Sequence, residues 1–232
     1  MNQVPAVIRV LFVNARITLG MPLGILFLVW FFNWALFATL ADAVPPAGRT
    51  TGGLMAIYFV FGSGYLQTMT QAFPFALGMG VTRRAFYTAV ALLVAVESAG
   101  FGVLLGLLNL LERATGGWGL RLRFFAIDFV LAGDPLRQWL VYAVPFVAVA
   151  FLGVFVGVVF KRWGSTGLWT VGTTTGVLLG GLAVLATWGQ WWPAVGDWFA
   201  AQSVPALLAG YPLVLALLLG AGGWLAIRRA TP

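Results

Sequence analysis

One ionisable side chain falls inside a long apolar stretch of this sequence. Glu97 lies within residues 86–111, which contain no other charged residue, and it follows Arg84 by thirteen positions. That separation corresponds to roughly 20 Å along a helix. A carboxyl group this deep in a membrane is costly unless it is neutral, paired or in contact with water. Two hypotheses remain open: Glu97 lines a path and binds a cationic or hydroxylated group, or it forms a hydrogen bond between helices, for example to the threonines at 173–175.

Polar side chains accompany Glu97 in the neighbouring apolar runs. Those that could line the same path are Asn33, Gln67 and Gln71. Thr68, Thr70 and Asn109 are further polar groups within or near these runs. Inside lipid, such groups also hold helices together through hydrogen bonds, so their presence alone does not identify a path.

The residue types that most often perform catalysis are missing. The chain has no cysteine and no histidine, which removes thiolate chemistry, disulfides, the commonest general base and the commonest metal ligand. We therefore expect no catalytic site and no metal site. Gly78 and Gly80 are followed by Val-Thr-Arg-Arg, without the lysine of a phosphate-binding loop, so no cofactor is expected on this chain either.

The composition indicates a membrane protein with many spans. Hydrophobic residues make up 61% of the 232 residues and charged residues only 8%, whereas a soluble domain carries roughly 25% charged residues. The net charge of +7 would suit a nucleic-acid partner. The charges lie in loops between apolar runs and form no basic face, so we expect the lipid bilayer and no nucleic acid. The preference for arginine over lysine is typical of high-GC bacteria, which predicts a bacterial plasma membrane.

Six apolar runs are each close to the roughly 20 residues that a helix needs to cross a bilayer. The predicted spans are 21–40, 54–72, 86–111, 139–160, 168–188 and 204–227. The third is longer than a crossing requires, so it should tilt or project from the membrane. Together they predict a single transmembrane domain over residues 1–232.

The first residues have the pattern of an amphipathic helix. Apolar residues recur at helical spacing over 4–19, while Arg9 and Arg16 lie one heptad apart on another face. We predict that residues 1–19 form an interfacial helix that lies flat on the membrane, with a bend at Pro22 into the first span. The alternative is that this helix extends the first span inward.

The distribution of charge predicts the topology. With the N-terminus in the cytoplasm, the inner segments hold eight basic and no acidic residues, and the outer loops hold five of each. This asymmetry predicts an all-α integral membrane protein that has six transmembrane helices after the interfacial helix, with both termini cytoplasmic. The longest outer loop, 112–138, is too apolar for a solvated loop and should be interfacial or partly re-entrant. The tryptophans at 188–198 are typical of an outer aromatic belt.

Glycines four residues apart predict close helix packing. They form one face on each of the third, fourth and fifth spans: Gly102 and Gly106, Gly153 and Gly157, and Gly172, Gly176 and Gly180. The spacing is compatible with a compact bundle within one chain and with an interface between chains.

The segment 73–88, FPFALGMGVTRRAFYT, joins the second and third spans and carries a basic pair. Its Gly-Val-Thr-Arg-Arg run and the aromatic residues after it resemble the first cytoplasmic loop of the membrane subunit of type-2 ABC exporters. The order of elements along the chain is also similar to the small six-span members. The Ala-Thr-Gly-Gly-Trp-Gly run at 114–119 is similar to the actinobacterial ones. The chain departs from larger members in lacking a large extracellular domain.

The resemblance implies a coupling loop at 73–86 that docks on an ATP-binding cassette subunit. The residues it assigns to this contact are Phe75, Leu77, Gly78, Gly80, Thr82, Arg83, Arg84 and Phe86. It implies a permease that pairs with a second permease chain, as a homo- or heterodimer, and with two ATP-binding subunits that carry the ATP and magnesium. The cargo would be amphipathic: a drug, peptide, lipid or glycolipid. The permease itself would not be an enzyme.

The physical character of this loop can be stated without the resemblance. Thr82 should cap the third span, which leaves Arg83 and Arg84 in the first turn, where they oppose the helix dipole. Lipid headgroups or an acidic partner surface must therefore hold them. The alternative is that the pair serves only as a topology signal. For the whole chain, the alternatives are a non-transporting assembly or sensor subunit and an ATP-independent secondary transporter.

Overall fold

The computed structural model describes residues 3–12, 15–41, 43–45 and 48–228, and side chains from residue 19 onward in the second helix. The side chain of Arg16, and all of Asp42 and Arg229, whose charges entered the topology prediction, lie outside this description. The described residues are predominantly helical and contain no β-sheet. The helices are α1 (Val4–Phe12), α2 (Ala15–Thr39), α3 (Met55–Gln67), α4 (Phe73–Gly78), α5 (Arg83–Ala114), α6 (Pro135–Trp188), α7 (Trp192–Ala201) and α8 (Tyr211–Ile227).

Four helical segments are long and apolar enough to cross a membrane, which agrees with the prediction of an all-α membrane protein. They are Leu19–Thr39, Arg83–Ala114, Pro135–Trp188 and Ala206–Ile227. The last includes a wide π-helical turn, Ala206–Gly210, directly before α8. The 32 residues of α5 extend for about 48 Å, more than the roughly 30 Å of a bilayer core, as expected for the third span.

The helix of the second predicted span does not stop at Ala72. It passes from α3 through a π-helical turn, Thr68–Ala72, into α4 and ends at Gly78. In this turn the Phe73 N–H donates to the Thr68 carbonyl, five residues back instead of four. Pro74 follows at the start of α4, where its missing N–H is tolerated. The predicted loop at 73–86 is therefore mostly helix, and its non-helical part is only residues 79–82.

Of two other predicted interruptions of the helices, the structure has one and lacks the other. Gly164 has φ 65° and ψ −158°, a conformation outside the helix that favours glycine, and it divides α6 into a first arm (135–163) and a second arm (165–188). This break agrees with the predicted division between the fourth and fifth spans. The predicted bend at Pro22 is wrong, because α2 is helical through Pro22 and the N-terminal helix ends earlier, at Phe12.

The amphipathic character predicted for the N-terminus agrees with the structure of α1. Val7 is buried in the core, with Val4 and Ile8 partly buried against it, while Arg9 on another face is exposed. The helix packs against α5.

The glycine faces of α6 serve different purposes. On the first arm, a Cβ at Gly153 would overlap the Gly62 carbonyl oxygen, and one at Gly157 would lie 2.5 Å from the Met69 Cβ. These glycines therefore bring the first arm against α3. On the second arm, Gly172, Gly176 and Gly180 have no other atom within 4 Å of a Cβ position. Only Ala186 of this arm is buried, so the arm has almost no packing within the described chain.

The apolar loop after α5 folds back and covers one end of the bundle. Leu122, Phe124, Phe125 and Ile127 are each at most 3% exposed. We call residues 122–130 the plug. The plug pairs with the loop before α3, since the Arg123 N–H donates to the Arg49 carbonyl at 2.9 Å and takes part in an isolated bridge there. Within the loop predicted to be interfacial or partly re-entrant, most apolar residues of the plug are thus buried in the protein, whereas Phe129 and residues 133–137 are exposed.

One carboxylate organises the plug. Glu112, in the last turn of α5 and 2% exposed, accepts backbone N–H bonds from Phe124, Phe125 and Ala126 at 2.8–3.2 Å. The Trp118 indole N–H also donates to it, at 2.9 Å. The sequence predicts a loop charge at Glu112, whereas its side chain is a buried acceptor for backbone that forms no helix.

We predict that blocking the close contact between Gly62 and Gly153 destabilises the fold. Gly153→Ala should lower the free energy of unfolding by about 1–3 kcal/mol, because the added methyl group meets a backbone carbonyl that cannot move without shifting α3. Gly100→Ala is the matched control and should cause no loss, since that position on α5 is open and exposed. Thermal unfolding of both variants in one detergent is the measurement, and equal melting temperatures would contradict the prediction.

Glu112→Ala should destabilise the protein more strongly. It leaves three buried N–H groups and an indole N–H without their acceptor, for an expected cost of at least about 3 kcal/mol. Arg113→Ala, at the next and exposed position, should change the melting temperature little. The same unfolding assay compares them. A Glu112→Ala protein as stable as Arg113→Ala would show that the plug does not depend on this carboxylate.

Candidate functional site

A groove of about 420 Å³ opens between α1, the start of α2, the helix from α3 to α4, and α5. Its polar lining consists of Ser63, Tyr65, Gln67, Thr68, Gln71 and Glu97. The rest of the lining is apolar and includes Phe12, Met21, Phe61, Phe75 and Leu93. The structure therefore brings together three of the four residues that were predicted to line a path.

The local helix geometry places these side chains on one face. Gln67 and Gln71 are four residues apart and lie one above the other. Gln67 directly precedes the π-helical turn Thr68–Ala72, and Gln71 lies within it. Both side chains are exposed to the groove, and neither amide forms a hydrogen bond with another described residue. Wide turns of this kind often occur at functional sites of helices.

Glu97 faces the same groove from α5. Its carboxylate accepts a hydrogen bond from the Tyr65 hydroxyl at 2.7 Å, and the residue is 9% exposed. The predicted bond between helices thus exists, but its partner is Tyr65 and not the threonines at 173–175, which lie exposed on the second arm. Because Glu97 both bridges two helices and lines the groove, the two hypotheses for this residue are compatible.

Asn33, the fourth predicted path residue, lies elsewhere. Its side chain donates to the Val29 carbonyl at 2.8 Å and accepts from the Thr51 hydroxyl at 2.7 Å. Thr51 belongs to the loop that pairs with the plug. Asn33 therefore contributes to the plugged end of the bundle and is not among the residues that line the groove.

The non-helical turn at 79–82 is fixed to the N-terminal helix. Thr82 caps α5, as predicted, by accepting from the Ala85 N–H at 3.2 Å. Gln3 binds the turn twice: its amide donates to the Gly80 carbonyl at 3.2 Å, and its side-chain oxygen accepts the Thr82 N–H at 3.0 Å. Sequence reasoning missed Gln3, since no pattern links residues so far apart.

The residues assigned to partner docking divide into exposed and buried groups. Phe75 is 62% exposed, and Gly78, Gly80, Thr82 and Arg84 are also exposed. Leu77 and Arg83 are half-buried. Phe86 is fully buried and packs on Phe73 with ring centroids 5.2 Å apart, so it anchors the turn to the core and is not available at the surface. Met79 was not singled out, yet it is 52% exposed at the turn.

The two arginines of the basic pair have different surroundings. Arg83 donates to the Arg228 carbonyl at 3.2 Å, and Arg162 donates to the Ala226 carbonyl at 3.3 Å. Both therefore satisfy carbonyls at the end of α8, where cations are favourable. Arg84 forms no hydrogen bond or ion pair with the described residues and faces an open cleft beside Trp224. Arg84 is thus the member of the pair that is available to an acidic partner.

No known protein family matches this chain, and no curated protein or solved structure is significantly similar to it. The groove and the turn are therefore the features of this chain that bear on its function.

The groove should be open to water even though its surroundings are apolar. The chain has no cysteine, so single cysteines can be introduced without other changes. Gln71→Cys should react with a water-soluble maleimide, because thiolates form only where water reaches them. Val96→Cys is the control: it precedes Glu97 and is 65% exposed, but it is not part of the groove lining. In lipid nanodiscs it should react much more slowly. Equal labelling rates would contradict a hydrated groove.

Proposed function

We propose that this chain is the permease subunit of an ATP-driven exporter in a bacterial plasma membrane. In this proposal the chain pairs with a second permease chain, homo- or heterodimeric, and with two ATP-binding cassette subunits. ATP and magnesium are held by those subunits, and the permease moves an amphipathic cargo. The proposal rests on the resemblance at residues 80–84 and on the geometry of the groove and of the turn at 79–82.

The observation that carries the proposal is the position of the turn at 79–82. The two helices that meet at this turn are the two that supply the polar lining of the groove: Gln67 and Gln71 on one side, Glu97 on the other. A force applied to the turn would therefore act on the groove. Phe73 and Phe86 are packed together just inside the turn, so movement there would be transmitted to the core.

The helices also support a topology of six spans with cytoplasmic termini. The helix from Met55 to Gly78 provides a further crossing through its π-helical turn, and Gly164 divides α6 into two crossings. Arg83 and Arg162 meet the end of α8 in the structure. Glu112, Asp128 and Asp134 belong to the opposite end. The positive-inside rule favours a cytoplasmic location for the basic end.

The exposure of the second arm supports the proposed pairing with a second permease chain. An apolar helix of membrane length with one buried residue has little packing within its own chain. In lipid, helices associate through close packing of small residues. The open glycines at 172, 176 and 180 offer such a surface.

The proposal predicts that reversing the charge at Arg84 separates the permease from its ATP-binding subunit. The tagged chain is purified from the membranes of its natural host in mild detergent. Its ATP-binding cassette partner is then measured by mass spectrometry and by ATP hydrolysis in the eluate. Arg84→Glu should reduce the co-purified subunit about tenfold or more, because like charges across an interface repel.

Arg113→Glu is the matched control for this experiment. It makes the same charge change at an exposed position of the same helix, but at its other end, and should leave co-purification unchanged. Absence of any ATP-binding cassette subunit with the wild-type chain would refute the proposal in favour of a secondary transporter or an assembly subunit. Equal recovery of the ATP-binding cassette subunit with both variants would show that Arg84 does not contribute to docking.

A further inference from the structure

The groove holds a carboxyl group in a chain that is strongly basic. Glu97 is the one carboxylate among the described residues that line the groove, and none of these residues is an arginine or lysine. The net charge of the whole chain is +7. Among the described lining residues, a cationic group that enters the groove therefore meets a carboxyl group, whereas a phosphate or sulfate group meets no base.

The carboxylate of Glu97 is only partly satisfied. One oxygen accepts the Tyr65 hydroxyl, and the other has no hydrogen-bond partner among the described residues. The described part of the chain contains a single ion pair, Arg123–Asp128, at the plugged end. A carboxylate that is 9% exposed and lacks a cationic partner is costly unless a ligand or water supplies the missing contact.

The rest of the groove fits an apolar body with few polar groups. Phe61, Phe75 and Leu93 line its walls, and aromatic faces also attract cations. The unpaired amides of Gln67 and Gln71 add neutral hydrogen-bonding groups. The volume of about 420 Å³ is within the range of pockets that hold drug-sized molecules.

We propose that the groove binds a lipophilic monocation that carries N–H donors, with its ammonium group on the free oxygen of Glu97 and its apolar body along Phe61 and Phe75. This inference rests on the proposed function, because it names the class of cargo that the exporter carries. Among amphipathic molecules it selects amines and excludes acidic lipids and phosphorylated glycolipids.

The experiment uses the full chain alone, in nanodiscs of neutral lipid and without any ATP-binding subunit. Rhodamine 6G, a lipophilic cation with N–H groups, is the probe, and its binding is followed by fluorescence polarisation. Dodecylamine and dodecanol serve as competitors, since they share one apolar chain and differ in charge. The amine should displace the probe, and the alcohol should fail to do so at the same concentration.

The variants test the position of the site. Glu97→Gln keeps the size of the side chain and should weaken probe binding about tenfold or more, as expected for the loss of one charged hydrogen bond. Val96→Thr, a change of similar size outside the groove, should bind like wild type. Size-exclusion chromatography checks that both variants are folded.

Several results would overturn the inference. They are the absence of probe binding to wild type, equal affinity of Glu97→Gln and wild type, and equal competition by the alcohol and the amine. The comparison of the two competitors needs only wild-type protein, so it tests the preference for a cation even where Glu97→Gln does not fold. Because no ATP-binding subunit is present, failure here leaves the co-purification test of the proposed function intact, and the reverse also holds.

Discussion

Backbone N–H groups outside helices find no water inside a protein core or a bilayer, and each must have an acceptor within the protein. In this chain Glu112 meets that requirement for three consecutive residues of the plug and for the Trp118 indole. With these groups satisfied, apolar residues of the plug can pack against the helices. Arg49 has the complementary role, since it donates to the carbonyls of Val44 and Leu120. One buried acid and one buried base thus allow an irregular segment to close a bundle made almost entirely of apolar residues.

Much of the helical structure could be predicted because it depends on local sequence. The length of apolar runs indicated the membrane helices, the gap between the runs that end at 160 and begin at 168 contains the break in α6, and Thr82 had the residue type and position of a cap. The limits of helices were less predictable. Pro22 suggested a bend, yet α2 is helical through it. Pro74 stands in the first turn of α4, where its missing N–H is not needed.

The candidate site was predictable only in part. The depth of Glu97 within an apolar run indicated a polar position in the membrane, and the spacing of Gln67 and Gln71 placed both on one face. The partners could not be derived, because Tyr65 and Gln3 reach residues that are far away in the chain. Nor could the sequence separate a solvated loop charge from a buried acceptor: Glu112 has the same side chain in either setting, and only the fold of residues 122–130 distinguishes them.

The two bonds of Gln3 have a consequence for the order in which the protein assembles during synthesis. Gln3 is made early, but Gly80 and Thr82 follow 77 and 79 residues later. The N-terminal helix must therefore wait, without its final contacts, until the next two membrane helices have been made and the turn that follows them has formed. Its amphipathic face can rest on the membrane surface during that interval. The groove is walled by the same helix, at Val10 and Leu11, so it is completed only after that helix has docked on the turn.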